Sequence, residues 1–395
     1  MNVKFSTKFI AASAAAVMAL SLAGCSGGSM DDSSSSNAKA SGDSITIGTV
    51  TTNSGTAAAY GEAEGKGFEL AVSEINAKGG INGKKVKLES MDDKGDATEA
   101  SNAFNKLSGD NNVLAVAGPT ISATTAAVAP LADQAKLATI APAATSDSIE
   151  TGNYLFRTCF KDSYQGEMAA RFAAENLKVK KVAVLYGTGD PYSSGVGEAF
   201  AKAAEKLGLE VVDKESSSSA DDTEYSAQLQ KIQASGAELL YAPYYYSVAG
   251  PYIIPQARSV GFEGYVMGPD GYDGLKLTGD KSQYNKTYYT THYSADDNTN
   301  TKVQDFIKSY KEKNNAEPNT FAALGYDTIY MLKQAIEKAG KNATREDVRN
   351  AVTGMNFDGV TGKFTMDKSG SPTKSVIVLE MKDGKPVYNT TVQPK

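Results

Sequence analysis

Small polar residues that follow predicted strands could bind a charged small molecule. Ser122 and Thr145 each come shortly after an apolar run in the first half of the chain, and Asp270 follows another such run in the second half. A hydroxyl beside the free N–H groups at the start of a helix suits a carboxylate, and an aspartate suits an ammonium group. The alternatives are a plain helix cap at Ser122 and a turn residue at Asp270. The residues alone show where a carboxylate and an ammonium group could bind and leave these alternatives open.

Groups for covalent catalysis or metal binding are scarce. One histidine and two cysteines exclude a two-histidine mechanism, a cysteine-rich zinc module and a disulfide scaffold. The dinucleotide, phosphate-loop and nucleophile-elbow motifs are incomplete or absent. Asp92, Asp93 and Asp96 lack the spacing of a calcium loop, so we expect a solvated loop there. We expect no enzyme, no cofactor and no metal, and interpret His292 as structural and Cys159 as a small buried residue.

The composition is that of an ordinary globular protein. The chain has 395 residues, of which 41% are hydrophobic and 22% charged, and its net charge is −6. At roughly 150 residues per domain, this length predicts two domains with sizeable cores. An acidic balance without a basic block argues against nucleic acid as a partner.

The elements that must position these residues alternate between strand and helix. Predicted strands cover residues 45–51, 86–90, 113–118, 137–141, 181–186, 211–212, 239–241 and 265–267, with helices between them that include 58–78, 97–108, 122–135 and 166–177. This alternation indicates βαβ units and parallel sheets covered on both faces. The pattern restarts near residue 166, which predicts two similar open α/β lobes, each Rossmann-like. Residues 376–381 and 386–390 flank Asp383-Gly384 and predict a hairpin.

The amino terminus carries a targeting segment. Residues 1–24 have two lysines followed by a short apolar run, as in a signal peptide. The run ends Leu22-Ala23-Gly24-Cys25, which resembles the bacterial lipoprotein box, in which the cysteine is lipidated and becomes the first mature residue. Residues 25–43 are small and polar and predict a flexible tether between this lipid anchor and the folded body.

Residues 44–395 resemble the amino-acid-type substrate-binding proteins of ABC importers, similar to the Leu/Ile/Val-binding proteins. The order and spacing of several short segments carry the resemblance: residues 48–61, 71–83, 92–93, 140–145, 256–258, 267–269 and 322–327. It implies two lobes joined by a hinge of three crossings, near Lys161, His292 and Lys374, with the ligand in the interlobe cleft. The implied lobes are residues 44–161 plus 293–374, and residues 162–292 plus 375–395.

The resemblance also implies which residues hold the ligand. They are Tyr60, Ser122, Ala143, Thr145, Tyr192, Tyr246, Asp270 and Phe321. Ser122, Thr145 and the backbone of Ala143 would hold a carboxylate, and aromatic rings would line the pocket. Tyr246 is the last of three successive tyrosines, so the register there is open. Asp270 stands where branched-chain binders usually have glutamate, which leaves open whether its amine contact is direct, water-mediated or retuned to another ligand.

The implied function is that of the extracytoplasmic solute-binding component of an ABC transporter. It would capture a branched-chain or other hydrophobic amino acid by hinge closure and deliver it to a permease with cytoplasmic ATPase subunits. Two alternatives remain at this stage: binding of short-chain amides, urea or another small polar solute, and a sensor or surface receptor that reuses the fold. We expect a monomer on the outer face of a bacterial cell membrane, anchored through lipid at Cys25.

Overall fold

The computed structural model describes residues 43–149, 153–296 and 300–394. The predicted signal peptide, Cys25 and the tether up to residue 42 lie outside these ranges. Within them, no helix combines the length and apolar character needed to cross a bilayer.

Strands and helices alternate along most of the described chain. The strands are β1 (Ser44–Thr51), β2 (Lys85–Asp92), β3 (Val113–Ala117), β4 (Thr139–Ala141), β5 (Leu155–Arg157), β6 (Lys181–Gly187), β7 (Glu210–Ser217), β8 (Leu239–Tyr241), β9 (Tyr265–Gly268), β10 (Thr287–Thr291), β11 (Asn356–Gly359), β12 (Gly362–Thr365), β13 (Val376–Lys382) and β14 (Lys385–Val392). The helices are α1 (Ala58–Ala77), α2 (Ala97–Gly109), α3 (Ser122–Ala135), α4 (Asp162–Phe172), α5 (Pro191–Lys206), α6 (Ser226–Ala234), α7 (Tyr246–Val248), α8 (Ile254–Ser259), α9 (Thr301–Asn314), α10 (Thr320–Ala339) and α11 (Arg345–Val352).

The first lobe is built on a five-stranded parallel sheet. Its strand order is β2-β1-β3-β4-β5. All five residues of β3, with the sequence VLAVA, are buried, as expected for a strand covered on both faces. Helix α1 packs closely against α10, because Gly67 brings the two backbones together: a Cβ at Gly67 would lie 2.2 Å from the carbonyl oxygen of Ala322.

The second lobe is built on a seven-stranded mixed sheet. Its strand order is β14-β13-β10-β9-β8-β6-β7. The strands from β6 to β10 are parallel to one another, whereas β13 pairs antiparallel with β10 on one side and with β14 on the other. The predicted hairpin is present, and Asp383 and Gly384 both have positive φ angles, of 48° and 76°, as a tight two-residue turn between strands requires. The second sheet is therefore parallel at its centre and antiparallel at one edge.

The described chain passes between the two lobes three times. The passages follow β5, follow β10 and precede β13; between the second and third, α9, α10, α11 and the β11–β12 hairpin join the first lobe. The passages touch one another, since the rings of Phe160 and His292 stack with centroids 3.7 Å apart. The hydroxyl of Tyr164 donates to the carbonyl oxygen of Lys374 at 2.8 Å. Two lobes linked at one side in this way leave a cleft at the other.

Candidate functional site

A small cavity of about 20 Å³, room for about one water molecule, lies where the carboxyl ends of the parallel strands of both lobes face each other. Open α/β sheets bind ligands at these ends. Six of the predicted ligand residues line the cavity: Tyr60, Ser122, Ala143, Tyr192, Asp270 and Phe321. Thr120, Ile121, Tyr245 and Gly271 complete the lining. Each lining residue lies in the loop or first helical turn that follows a strand or opens a helix, which explains why distant segments meet here.

Aromatic rings form the walls of the cavity. Tyr60, at the start of α1, stacks on Phe321, at the start of α10, with ring centroids 3.9 Å apart. Tyr192 stacks on Tyr245 with an interplanar angle of 7° and centroids 5.3 Å apart. Both pairs of rings are almost completely buried. Such walls suit an apolar side chain of a small ligand.

Hydrogen-bond donors gather at the first-lobe end of the cavity. Ser122 opens α3, and the first N–H groups of a helix have no partner within it. The N–H of Ser146 donates to Ser122 Oγ at 3.1 Å, so the Ser122 hydroxyl accepts there and keeps its own proton to donate elsewhere. This end of the cavity is therefore suited to a carboxylate.

A carboxylate stands at the second-lobe end. Asp270 follows β9, and its side chain is only 3% exposed. The Tyr192 hydroxyl donates to Asp270 Oδ1 at 2.9 Å and accepts from the N–H of Gly271 at 2.8 Å. His292 Nε2 lies 3.3 Å from Asp270 Oδ2. The side chain of Asp270 is thus held in one position at the edge of the cavity.

Direct hydrogen bonds also connect the lobes across the cleft. The Tyr60 hydroxyl of the first lobe donates to the carbonyl oxygen of Gly271 and accepts from the N–H of Tyr246 at 3.0 Å. The Ser247 hydroxyl donates to the carbonyl oxygen of Thr56 at 2.7 Å. Burial raises the pKa of Tyr60 well above its usual value, so this hydroxyl keeps its proton. The lobes are in contact around the cavity.

Two predicted ligand residues lie beside the cavity instead of lining it. Thr145 is fully buried, and its hydroxyl makes no hydrogen bond to the described residues. Its carbonyl oxygen accepts from the N–H of Asp162 at 2.8 Å, and burial raises the pKa of the Asp162 carboxyl well above its usual value. The Thr145 carbonyl accepts from Arg157 Nη1 at 2.8 Å. In the run of three tyrosines, Tyr245 lines the cavity, and Tyr246 begins α7 and holds Tyr60 through its backbone. Of the three tyrosines whose register the sequence left open, Tyr245 is the one that lines the cavity.

Sequence reasoning missed a buried acid next to the cavity. Thr120, in the loop after β3, hydrogen-bonds to Glu64 Oε2 at 2.6 Å and accepts from the N–H of Thr52 at 3.1 Å. Burial raises the pKa of Glu64 to about 8, so its carboxyl is mostly protonated at neutral pH. Asp93 was expected in a solvated loop, but it is buried as well. Its Oδ1 accepts from the Thr52 hydroxyl at 2.6 Å, which compensates in part for the loss of water. Thr120 follows a strand directly, which was a usable signal, but nothing in the sequence marks Glu64.

Further titratable groups lie buried behind Asp270 at the passages between the lobes. Burial lowers the pKa of Lys374 to about 8, and burial together with the nearby Lys374 charge lowers that of His292 to about 4. Cys159 is fully buried, donates from Sγ to the carbonyl oxygen of Ala144 at 3.3 Å, and has its pKa raised by burial to about 12. Cys159 is therefore an inert thiol.

Across residues 43–149, 153–296 and 300–394, no cluster of His, Cys, Asp or Glu is arranged to hold a metal ion.

Comparison with known proteins relates this chain to binding proteins. The family model described as periplasmic binding protein matches residues 44–386. The Leu/Ile/Val-binding protein homolog 3 of Brucella melitensis is 30% identical over 348 residues, which are 86% of this chain and 92% of the relative.

Two solved structures share the fold with TM-scores of 0.82. One is the branched-chain amino acid transporter substrate binding protein LivJ of Streptococcus pneumoniae in complex with isoleucine, which is 32% identical; the match covers 89% of this chain and 100% of that chain. The other is the leucine binding protein LivK of Thermotoga maritima, 31% identical, with 89% and 99% covered. The predicted two-lobed α/β fold is confirmed.

Proposed function

This chain belongs to the periplasmic binding protein family, and we propose that it is the solute-binding component of an ABC transporter that captures a branched-chain or other hydrophobic amino acid. Isoleucine is bound in the related Streptococcus pneumoniae structure. The proposed function requires selective binding and release, with no bond made or broken.

The observation that carries the proposal is the placement of opposite charge preferences at the two ends of one cavity. Ser122 and the N-terminus of α3 offer donors from the first lobe, and Asp270 offers an anion from the second. An α-amino acid carries its carboxylate and its ammonium on the same carbon, so a single ligand can engage both lobes at once. Hydrogen bonds to charged groups contribute about 1.5–3 kcal/mol each.

The cavity walls support a ligand with an apolar side chain. Tyr60, Tyr192, Tyr245 and Phe321 surround the space with ring faces. The hydroxyls of Tyr60 and Tyr192 are engaged with protein groups, which leaves their rings as the surfaces available to a ligand. A short-chain amide or urea would leave Asp270 without an ammonium partner.

We further propose that binding is coupled to hinge closure. The lobes would be residues 44–161 plus 293–374, and residues 162–292 plus 375–395, rotating about the three passages. The hydrogen bonds that Tyr60 and Ser247 make across the cleft support this, because they can exist only when the lobes meet. A closed, liganded shape is what a permease with ATPase subunits could distinguish from the open one.

The proposal includes a lipid anchor at Cys25 on the outer face of a bacterial membrane, supported by the sequence Leu22-Ala23-Gly24-Cys25. A diacyl group would hold the protein more stably than a single chain. Detergent phase partitioning of wild type and Cys25→Ser tests this. The variant should move to the aqueous phase, and its retention in the detergent phase would contradict the anchor.

Isothermal titration of the purified protein with L-leucine, L-isoleucine, L-valine, leucinamide and urea tests the ligand class. We expect binding of at least one branched-chain amino acid, and Asp270→Asn should weaken it by about 1.5–3 kcal/mol, or roughly 10- to 150-fold. Asp280→Asn is the matched control, since Asp280 caps an exposed turn of the same lobe. Binding of amides or urea alone would replace the proposed ligand class, and binding of none of them would favour a sensor or surface receptor.

A further inference from the structure

The only histidine of the chain lies directly behind Asp270. His292 follows the last residue of β10, where the chain begins its second passage between the lobes. Its side chain is fully buried, and its ring stacks on Phe160 of the first passage with centroids 3.7 Å apart. Its backbone N–H donates to Thr320 Oγ1, at the start of α10, at 3.3 Å. The backbone of His292 is thus held by α10, and its ring by the first passage.

The imidazole reaches one carboxylate oxygen and leaves the other to a different donor. His292 Nε2 is 3.3 Å from Asp270 Oδ2, and the Tyr192 hydroxyl is 2.9 Å from Asp270 Oδ1. Asp270 thus has a separate partner for each oxygen, one from α5 and one from a passage between the lobes. An aspartate held at both oxygens cannot rotate its carboxyl group without breaking a hydrogen bond.

The charge state of the ring follows from its surroundings. Burial and the positive charge of Lys374, which precedes β13, lower the pKa of His292 to about 4, against the opposing effect of Asp270 after β9. One face of the ring stacks on Phe160, which carries no charge. A neutral imidazole carries one proton, and a carboxylate can only accept. The tautomer with the proton on Nε2 is therefore the one that fits this contact.

We propose that His292 is a positioning residue for the ligand amine: its Nε2–H holds Asp270 Oδ2 so that the carboxylate of this short side chain is presented to an ammonium group in the cleft. The inference rests on the proposed function and deepens it. The His292 contact explains how Asp270, whose side chain is one methylene shorter than that of glutamate, can still present its carboxylate to the ligand amine. It also makes selectivity for amine-bearing ligands depend on a residue that does not line the cavity.

The binding test compares L-leucine with 4-methylpentanoate, which lacks the amine, in wild type, His292→Leu and His292→Gln. We expect His292→Leu to weaken L-leucine at least tenfold more than 4-methylpentanoate, and His292→Gln, which keeps a donor near the Nε2 position, to restore most of the loss. In an Asp270→Asn background the effect of His292→Leu should fall below threefold. Equal losses for both ligands, or full additivity with Asp270→Asn, would overturn the proposal.

Tyr164→Phe is the matched control for disturbance of the passages. The Tyr164 hydroxyl donates to the carbonyl oxygen of Lys374 at the third passage, and no hydrogen bond connects it with Asp270. The variant should change the affinities of L-leucine and 4-methylpentanoate by the same factor. A leucine-specific loss in Tyr164→Phe would show that any damage at the passages mimics the effect of His292→Leu, and would overturn the assignment to the imidazole.

A ligand-independent measurement separates this inference from the proposed function. Because His292 is the only histidine in the sequence, ¹⁵N NMR of the untagged protein reports its ring without assignment ambiguity. We expect the neutral Nε2–H tautomer in wild type and a loss of that preference in Asp270→Ala. An Nδ1–H tautomer in wild type would overturn the His292 contact whatever binds. Failure of wild type to bind any amino acid would overturn the proposed function and the amine role together, even with the Nε2–H tautomer present.

Discussion

Replacing Tyr60 with phenylalanine should weaken ligand binding while leaving each lobe intact. The Tyr60 hydroxyl makes two hydrogen bonds to the second lobe, with the carbonyl oxygen of Gly271 and the N–H of Tyr246. The Tyr60 ring stacks on Phe321 within the first lobe, and phenylalanine can keep that stacking. The substitution therefore removes cross-cleft hydrogen bonds and little else.

The size of the effect follows from those two hydrogen bonds. Each contributes about 0.5–1.5 kcal/mol net, so the closed state loses about 1–3 kcal/mol relative to the open state, in which water satisfies the same groups. Since a tenfold change in affinity corresponds to about 1.4 kcal/mol, the dissociation constant should rise roughly 5- to 150-fold where the ligand must itself drive closure.

Isothermal titration with L-leucine measures this loss, and small-angle X-ray scattering with and without ligand measures closure. Tyr284→Phe is the matched control, because the buried Tyr284 hydroxyl donates to the Gly250 carbonyl and accepts from the Thr278 N–H, both at 2.8 Å and both within the second lobe. It should lower thermal stability and leave the affinity unchanged. An affinity of Tyr60→Phe within twofold of wild type, with unchanged scattering, would refute the reasoning.

Three more predictions concern the site and the packing around it. Ser122→Ala should weaken L-leucine roughly 10- to 150-fold, and leucinamide clearly less, because the Ser122 hydroxyl is available to a carboxylate; equal losses in calorimetry would contradict that role. Gly67→Ala should destabilise the protein by about 1–3 kcal/mol by forcing α1 from α10. Gly65→Ala, on the same helix with no atom within 4 Å of the added Cβ, should be neutral or stabilising by up to about 1 kcal/mol in denaturant titrations. Burial raises the pKa of Glu64 to about 8, so the folded state holds an extra proton between pH 4.5 and 8, and this group's contribution to stability is lost as pH rises. Glu64→Gln should therefore gain up to about 4 kcal/mol in unfolding free energy relative to wild type between pH 5 and 8.5, and parallel pH profiles would disprove it.

Elements with a clear periodic pattern were predicted well from the sequence. Helix α3 spans Ser122–Ala135, the predicted limits, and β8 spans Leu239–Tyr241, also as predicted. Strand β10, Thr287–Thr291, was not predicted, because TYYTT contains no aliphatic run and lies among other tyrosines. Its membership of the second sheet depends on pairing with β9 and β13, which are 20 or more residues away along the chain.

The candidate site could be predicted only as far as strand ends and family spacing allow. The strand-end pattern and the family spacing each predict Ser122 and Asp270 as ligand residues, and both residues line the cavity. They cannot decide between Tyr245 and Tyr246, because a loop that enters a short helix has no periodicity from which to infer which ring faces inward. Thr145, also predicted as a ligand residue, is fully buried and does not line the cavity, and this placement comes from tertiary packing that no local pattern reveals.

The ring-lined cavity has an optical consequence. The sequence contains 21 tyrosines and no tryptophan, so tyrosine emission is not lost by energy transfer to an indole. Tyr60, Tyr192 and Tyr245 line the cavity, and the Tyr192 hydroxyl donates to the Asp270 carboxylate, a contact that quenches phenol fluorescence. An ammonium group that competes for this carboxylate would alter the emission. We therefore expect intrinsic tyrosine emission to report occupancy of the proposed site without any attached dye.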